Sequence, residues 1–307
     1  MKINLLTDAP RHNLALMKLS THHKKAGDEI KLNMPLWKAD YRYASWIFED
    51  SVRFGAQEAG GIAVDPKITL PEHIEKLKPD YTLFNLKHSL GYTFRDCYRD
   101  CPFCKVPKLS KEKKHHSIWE FHDPRFDTIE LLDNNIFFDP DWEETFREIE
   151  YEHLKVIDNG MDLRLLDDHR AWWIKQLRWK RHHPQFAWDR MKDEKKIIMG
   201  LKLLQKHQIR DCIFYVLMGF DTSLQEDLHR CEIIHSFGFD PFPMLYKPTP
   251  ELRAFRRMIY LRYYRSYKTI GEAWKNYSKA TRNLKHQSGY REQKKLKRQL
   301  SLESRKV

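Results

Sequence analysis

The sequence predicts an α/β protein in three parts: a small Rossmann-like α/β unit over residues 1–85, a partial (β/α)6 barrel over 86–250, and a basic helical or disordered extension over 251–307. Three observations lead there. Short apolar runs alternate with longer amphipathic segments, the pattern of parallel strands joined by helices. Glycine, proline and aspartate punctuate those segments as turns. With 307 residues, 41% of them hydrophobic and 13% aromatic, the chain has ample material for a core.

In order, residues 2–7 read as a buried parallel strand and 13–26 as a helix whose apolar side is Leu14, Leu16, Met17 and Leu19. Gly27 and Asp28 turn the chain into a short strand at 29–32. A mixed segment follows at 41–54, then a tight loop at Gly60 and Gly61, a short helix at 71–77 and a strand at 80–85. Beyond residue 116 the expected elements are strands at 128–132, 155–165, 185–189, 211–219 and 239–246, separated by helices at 141–153, 167–176 and 193–207 and by the acidic helix start at Glu226 and Asp227. The prolines of KPTP stop regular structure, and 252–274 reads as helical.

The stretch on which function turns is GYTFRDCYRDCPFCKV, residues 91–106, with three of the five cysteines in C-x3-C-x2-C order. Cys97, Cys101 and Cys104 are close enough in sequence to serve one metal centre. Three thiolates on a cubane iron–sulfur cluster leave one iron open to a small molecule, whereas four would close it. His115 and His116 keep a Cys3His zinc site as the alternative. Cys212 and Cys231 fall in an expected strand and helix and read as core thiols.

The cysteine stretch resembles the cluster loop of the radical S-adenosylmethionine (radical SAM) enzymes. That resemblance implies a 4Fe-4S cluster on Cys97, Cys101 and Cys104, with S-adenosyl-L-methionine (SAM) chelating the open iron and split to a 5'-deoxyadenosyl radical. It also implies an electron donor such as a flavodoxin or ferredoxin. Phe103 takes the aromatic place beside the adenine. Where the family has a Gly-Gly-Glu motif this chain has Asp133, Asn134 and Asn135, so Asn134 or Asn135 would contact the methionine amino group.

VIDNGMDLRLL resembles the Asn-Gln-Gly-Leu-Asp-Ile-Arg-Leu stretch of one subgroup, and Asp162 and Arg164, two apart on the expected strand, point the same way. They would hold the ribose hydroxyls and carboxylate of SAM, or pair with each other inside the barrel. Gly219 corresponds to the glycine that lets adenine approach the backbone.

Residues 1–85 are similar to the cobalamin-binding-like domain that precedes the barrel in that subgroup, through NLALMKLSTHHKKAGDEI and through the glycine pair followed by LPEHIEKLKPDYTLF. The cobalt-ligating Asp-x-His-x-x-Gly loop is missing: Asp8 stands four residues before His12 and no glycine follows. His22 and His23 read as surface residues of a helix. The expectation is a degenerate domain that keeps the fold without cobalamin. A variant that binds cobalamin without a lower histidine ligand and methylates its substrate stays open.

No apolar run approaches the length of a membrane span and the start does not resemble a signal peptide, so a cytoplasmic protein is expected. The net charge is +12, and from Tyr277 onward ten Lys or Arg face only Glu292 and Glu303. That tail reads as a solvated or disordered end, or as a contact for nucleic acid or an acidic partner. A zinc-containing nucleic-acid-binding module is therefore the reading from another class.

Overall fold

The first strand forms where the sequence places it: β1 (Lys2–Thr7) is buried from Ile3 onward. Helix α1 (Leu14–Lys25) begins at Asn13, whose side chain accepts the Leu16 N–H, and ends in a basic turn that complements the helix dipole. Strands β2 (Glu29–Leu32), β3 (Tyr41–Ser45) and β4 (Glu58–Gly60) complete a sheet in the order β2-β1-β3-β4, and every pairing in it is parallel. Leu16 and Leu19 of α1 close over Ile3 and Leu5, with Ile74 of the one-turn helix α2 (Glu72–Glu75) beside them.

This computed structural model describes residues 1–109 and 112–278. The basic tail anticipated beyond Ser278 lies outside the described residues. Two compact units result: Met1–Ala187 with Lys196–Ile213, and Trp188–Lys195 with the described residues from Phe214 onward.

In the first unit a second parallel sheet has the order β5-β6-β7-β8, from β5 (Ser89–Gly91), β6 (Thr128–Leu131), β7 (Lys155–Ile157) and β8 (Arg178–Trp179). Helices α3 (Trp142–Tyr151) and α4 (Asp168–Gln176) link the last three. Strand β9 (Gln185–Ala187) and helix α5 (Glu194–Lys206) follow, and Met161 bridges Phe186 in parallel. Register aligns Gly91 with Leu131 and Glu130 with Ile157, so the loops leaving β5, β6 and β7 emerge along one edge, where ligands gather in parallel α/β sheets. Met17, Tyr81 and Leu90 form a shared core that ties α1 to β5.

In the second unit β10 (Ile213–Met218) and β11 (Asp240–Leu245) are neighbours. Helix α6 (Leu224–Ser236) opens with a capping box between Ser223 and Glu226, and α7 (Pro250–Tyr260) is capped by Thr249. Arg230 and Asp227 form an ion pair buried completely, and Arg230 also donates to the carbonyls of Trp188 and Leu217. The Cys212 and Cys231 thiols are buried, and burial pushes both up.

The architecture is thus mixed α/β with parallel sheets, and no helix among the described residues is long and apolar enough to cross a membrane. Two expected strands are corrected. Residues 80–85 form a 3-10 turn, because Asp80 accepts the Thr82 N–H and Asn85 adopts φ 52°. The strand expected over 155–165 stops at Ile157, where Asp158 turns to accept the Gly160 N–H, and Leu163–Leu165 is a 3-10 turn. Asp162 and Arg164 therefore share a capped turn rather than one face of a strand.

Candidate metal and cofactor site

The cysteine loop leaves the end of β5 and is clamped at its root. Asp133, two residues past the end of β6, accepts the Thr93 N–H at 3.1 Å, the Thr93 hydroxyl at 3.0 Å and the Phe94 N–H. Burial pushes its carboxyl up to about 6, although those three donors pull the other way. The DNN run is therefore in part a fastening: Asp133 holds the loop's first residues, and Asn135 accepts the N–H groups of Phe137 and Asp162, each at 3.3 Å. Asn134 alone of the three lines an open cleft.

Beyond the clamp the loop carries Cys97, Cys101 and Cys104, all half-buried, with the Cys104 N–H bonded to the Cys101 carbonyl at 2.9 Å. Burial raises the Cys97 thiol, and nearby Cys104 and Asp162 add to that rise. Phe103 is half-buried on the same turn. Among the described residues no three His, Cys, Asp or Glu side chains converge tightly enough to grip a single metal ion. A cubane spreads its thiolates over separate irons, so three thiols on one eight-residue turn-forming loop suit a cluster in donor chemistry. His115 and His116 face carboxylates: His115 meets Asp139 at 2.6 Å, and His116 lies 2.9 Å from Glu120 and 3.1 Å from Glu112.

Arg99 inside the loop joins it to the 3-10 turn that follows β7. Its Nε donates to Asp162 at 2.9 Å, and its guanidinium stacks over Phe138 at 5.6 Å. Asp162 also accepts from the Arg164 Nε at 2.7 Å. Burial alone would raise the Asp162 carboxyl, but the Arg164 hydrogen bonds and the charges of Arg164 and Arg99 hold it below its usual range. Cys97, Asn135, Asp162 and Arg164 are thus brought together, with Arg99 as the residue that sequence reasoning missed. A cation between two cysteines of one loop was the signal available.

Gly219 lies in the second unit, at φ +75°, where an added Cβ would stand 2.8 Å from Leu252 Cδ1 and 3.0 Å from the Lys247 carbonyl. Its own turn requires glycine, independently of any ligand.

A cleft of about 330 Å³ opens in the first unit between α1, the end of β4 and the root of the cysteine loop, with Ser45, Gly60, Tyr92, Arg95 and Asn134 in its wall. Gly61 (φ +92°) shapes one side, where an added Cβ would lie 2.4 Å from the Trp46 carbonyl. Glu75 accepts from Lys18 at 2.7 Å and from Arg95 at 3.4 Å at the opposite side. Where a cobalt-ligating loop would lie, Asp8 instead accepts the Ile47 and Phe48 N–H groups at 2.8 and 2.9 Å, and half-buried His12 has its proton affinity lowered by burial. His23 pairs with Asp28 at 2.7 Å and is more covered than a surface histidine. Compared with known proteins, the chain is matched by no family model and by no curated protein.

Proposed function

We propose that the chain is a radical SAM enzyme, its strands from β5 onward forming a partial barrel, with Cys97, Cys101 and Cys104 holding a 4Fe-4S cluster. The observation that carries this reading is the convergence of the cysteine loop with the ends of β6 and β7 through Arg99, Asp162 and Asn135. When bound, the cluster supplies the electron that splits the sulfonium of SAM. The chain's own part is positional. Asp133 fixes the loop's departure, and Arg99 and Asp162 hold its far side against the turn that follows β7.

The Arg164 guanidinium, held against Asp162, is of the chemistry that suits a carboxylate, and Asn134 on the cleft wall suits an amino or hydroxyl group. Phe103 would cover an adenine, and Gly219 serves its turn. A flavodoxin or ferredoxin would deliver the electron. Cobalamin in the cleft near Gly60 and Gly61 is a second reading, favoured by that cleft alone.

The test is anaerobic purification with iron and sulfide analysis, then incubation with SAM and a reductant and assay of 5'-deoxyadenosine. Iron and sulfide near four per chain, with product formed by the wild type and abolished in a folded Cys101→Ala variant, are the expected results. Zinc near one per chain without sulfide, or full product from the variant, would overturn the assignment. Titration with added cobalamin, followed by absorbance, separates the second reading.

A further inference from the structure

The cleft beside α1 has an apolar lining and, at one end, polar donors that the protein itself leaves unused. Ala15 and Leu16 of α1, Ala44 of β3 and, after β4, Ile62, Ile68 and Leu70 supply the apolar part. Ile68 is 52% exposed, a large aliphatic side chain bordering a hollow of about 330 Å³. A concave, largely apolar space of that size suits a small molecule rather than a protein partner. Its polar groups fall into two sets. At the end of β3 they satisfy one another: Ser45 Oγ accepts from Asn13 Nδ2 at 2.9 Å, and the Ser45 carbonyl accepts from the Thr7 hydroxyl at 2.8 Å. At the root of the cysteine loop they do not. The Tyr92 hydroxyl and the Asn134 side-chain amide, both half-buried in the cleft wall, make no hydrogen bond among the described residues.

Arg95 completes this second set. Its guanidinium lies 4.9 Å from the centre of the Tyr92 ring, and among the described residues its one hydrogen-bond acceptor is Glu75, at 3.4 Å. Glu75 is already met by Lys18 at 2.7 Å, so one carboxylate serves two cations and a single positive charge is left in excess. Asp133, the other carboxylate that acts on Tyr92, is turned to the Thr93 and Phe94 donors. Glu58 and Asp65 also border the cleft, but both are exposed, on β4 and on the loop after it, and Glu58 takes the Tyr41 hydroxyl at 2.8 Å. A guanidinium, a phenol and an amide that can all donate, beside an excess of one positive charge, match a monoanion with two acceptor oxygens. A phosphate dianion would bring a second negative charge against Glu75, whereas a carboxylate brings one.

We propose that this cleft binds a small apolar monocarboxylate, its body between α1 and the loop after β4 and its carboxylate on Arg95, Tyr92 and Asn134. The site uses no cysteine and requires no cluster, so its failure and that of the radical SAM reading are separable. The test is fluorescence of anilinonaphthalene sulfonate, an apolar monoanion, with the full chain, followed by displacement with decanoate, decanol and decyl phosphate. Expected are a single saturable site, lost in an Ala15→Trp variant that melts like the wild type, and displacement about tenfold tighter by decanoate than by decanol. Arg95→Gln should weaken decanoate about tenfold and leave decanol unchanged, and Tyr92→Phe should weaken decanoate about threefold; these two variants decide the matter if Ala15→Trp does not fold. Equal displacement by decanol, tighter displacement by decyl phosphate, an equal loss of both ligands or of neither in Arg95→Gln, dye binding that persists in folded Ala15→Trp, or no dye binding would each overturn the proposal. Uptake of cobalamin that Ala15→Trp blocks would overturn it as well, because a corrin would then fill the space.

Discussion

Two carboxylates at the edge of one sheet illustrate opposite responses to burial, and each gives a prediction. Asp162 is buried beside two guanidinium groups and stays ionised below its usual range. Its pairing stabilises the fold above the unfolded carboxylate range and is lost as pH falls through the folded value. Asp162→Ala would leave Arg99 and Arg164 without their counter-ion, and a loss of about 3 kcal/mol is expected at neutral pH, read from urea midpoints. A change below about 0.5 kcal/mol would mean that solvent already screens the pair.

Asp133 is buried among neutral donors, and its folded value is raised to about 6. Between about 4 and about 6 the folded state holds the proton that the unfolded chain releases, so this group's contribution falls as pH rises. The stability of the wild type relative to Asp133→Asn should therefore grow on acidification through that window, by up to about 3 kcal/mol. A pH-independent difference would show that the clamp does not titrate there.

At the scale of elements, the root of the cysteine loop depends on a contact no motif announces. A Cβ at Gly91 would stand 2.3 Å from the buried ring of Phe121. Gly91→Ala is expected to cost about 1–3 kcal/mol through overpacking, with recovery of much of it in Gly91→Ala/Phe121→Leu; thermal melts of both decide the matter. This dependence explains what the sequence made legible. β1 and β2 stand at their expected bounds, since Ile3, Leu5 and Leu6 mark the first and the alternation of EIKL directly after the turn at Gly27 and Asp28 marks the second. Strand β5 is three residues long, too short for period to register, yet it launches the decisive loop. The stretch around Asp162 reads as a strand because MDLRLL alternates; the Asp162 side chain instead captures the Arg164 N–H and winds a 3-10 turn.

For the whole molecule, the proposed chemistry of the candidate site rests on three cysteines and one resemblance, while the assembly around those cysteines was not legible in the sequence. Pairings such as Arg99 with Asp162 and Arg95 with Glu75 link residues far apart in sequence, and neither period nor spacing encodes them. Glu75 is the more consequential partner, because it receives Lys18 of α1 and Arg95, two residues before Cys97. Glu75→Gln should speed alkylation of Cys97 in metal-free protein several-fold, measured by mass spectrometry after iodoacetamide pulses; an unchanged rate would show that Asp133 alone steadies the thiol.

The shared carboxylate also sets what occupancy of the nearby cleft would do. A guest wide enough to lever α1 outward must strain the Lys18–Glu75–Arg95 latch, and the strain passes down the chain to the first thiol. Filling the amino-terminal hollow and tuning the cysteine turn would then be a single mechanical event.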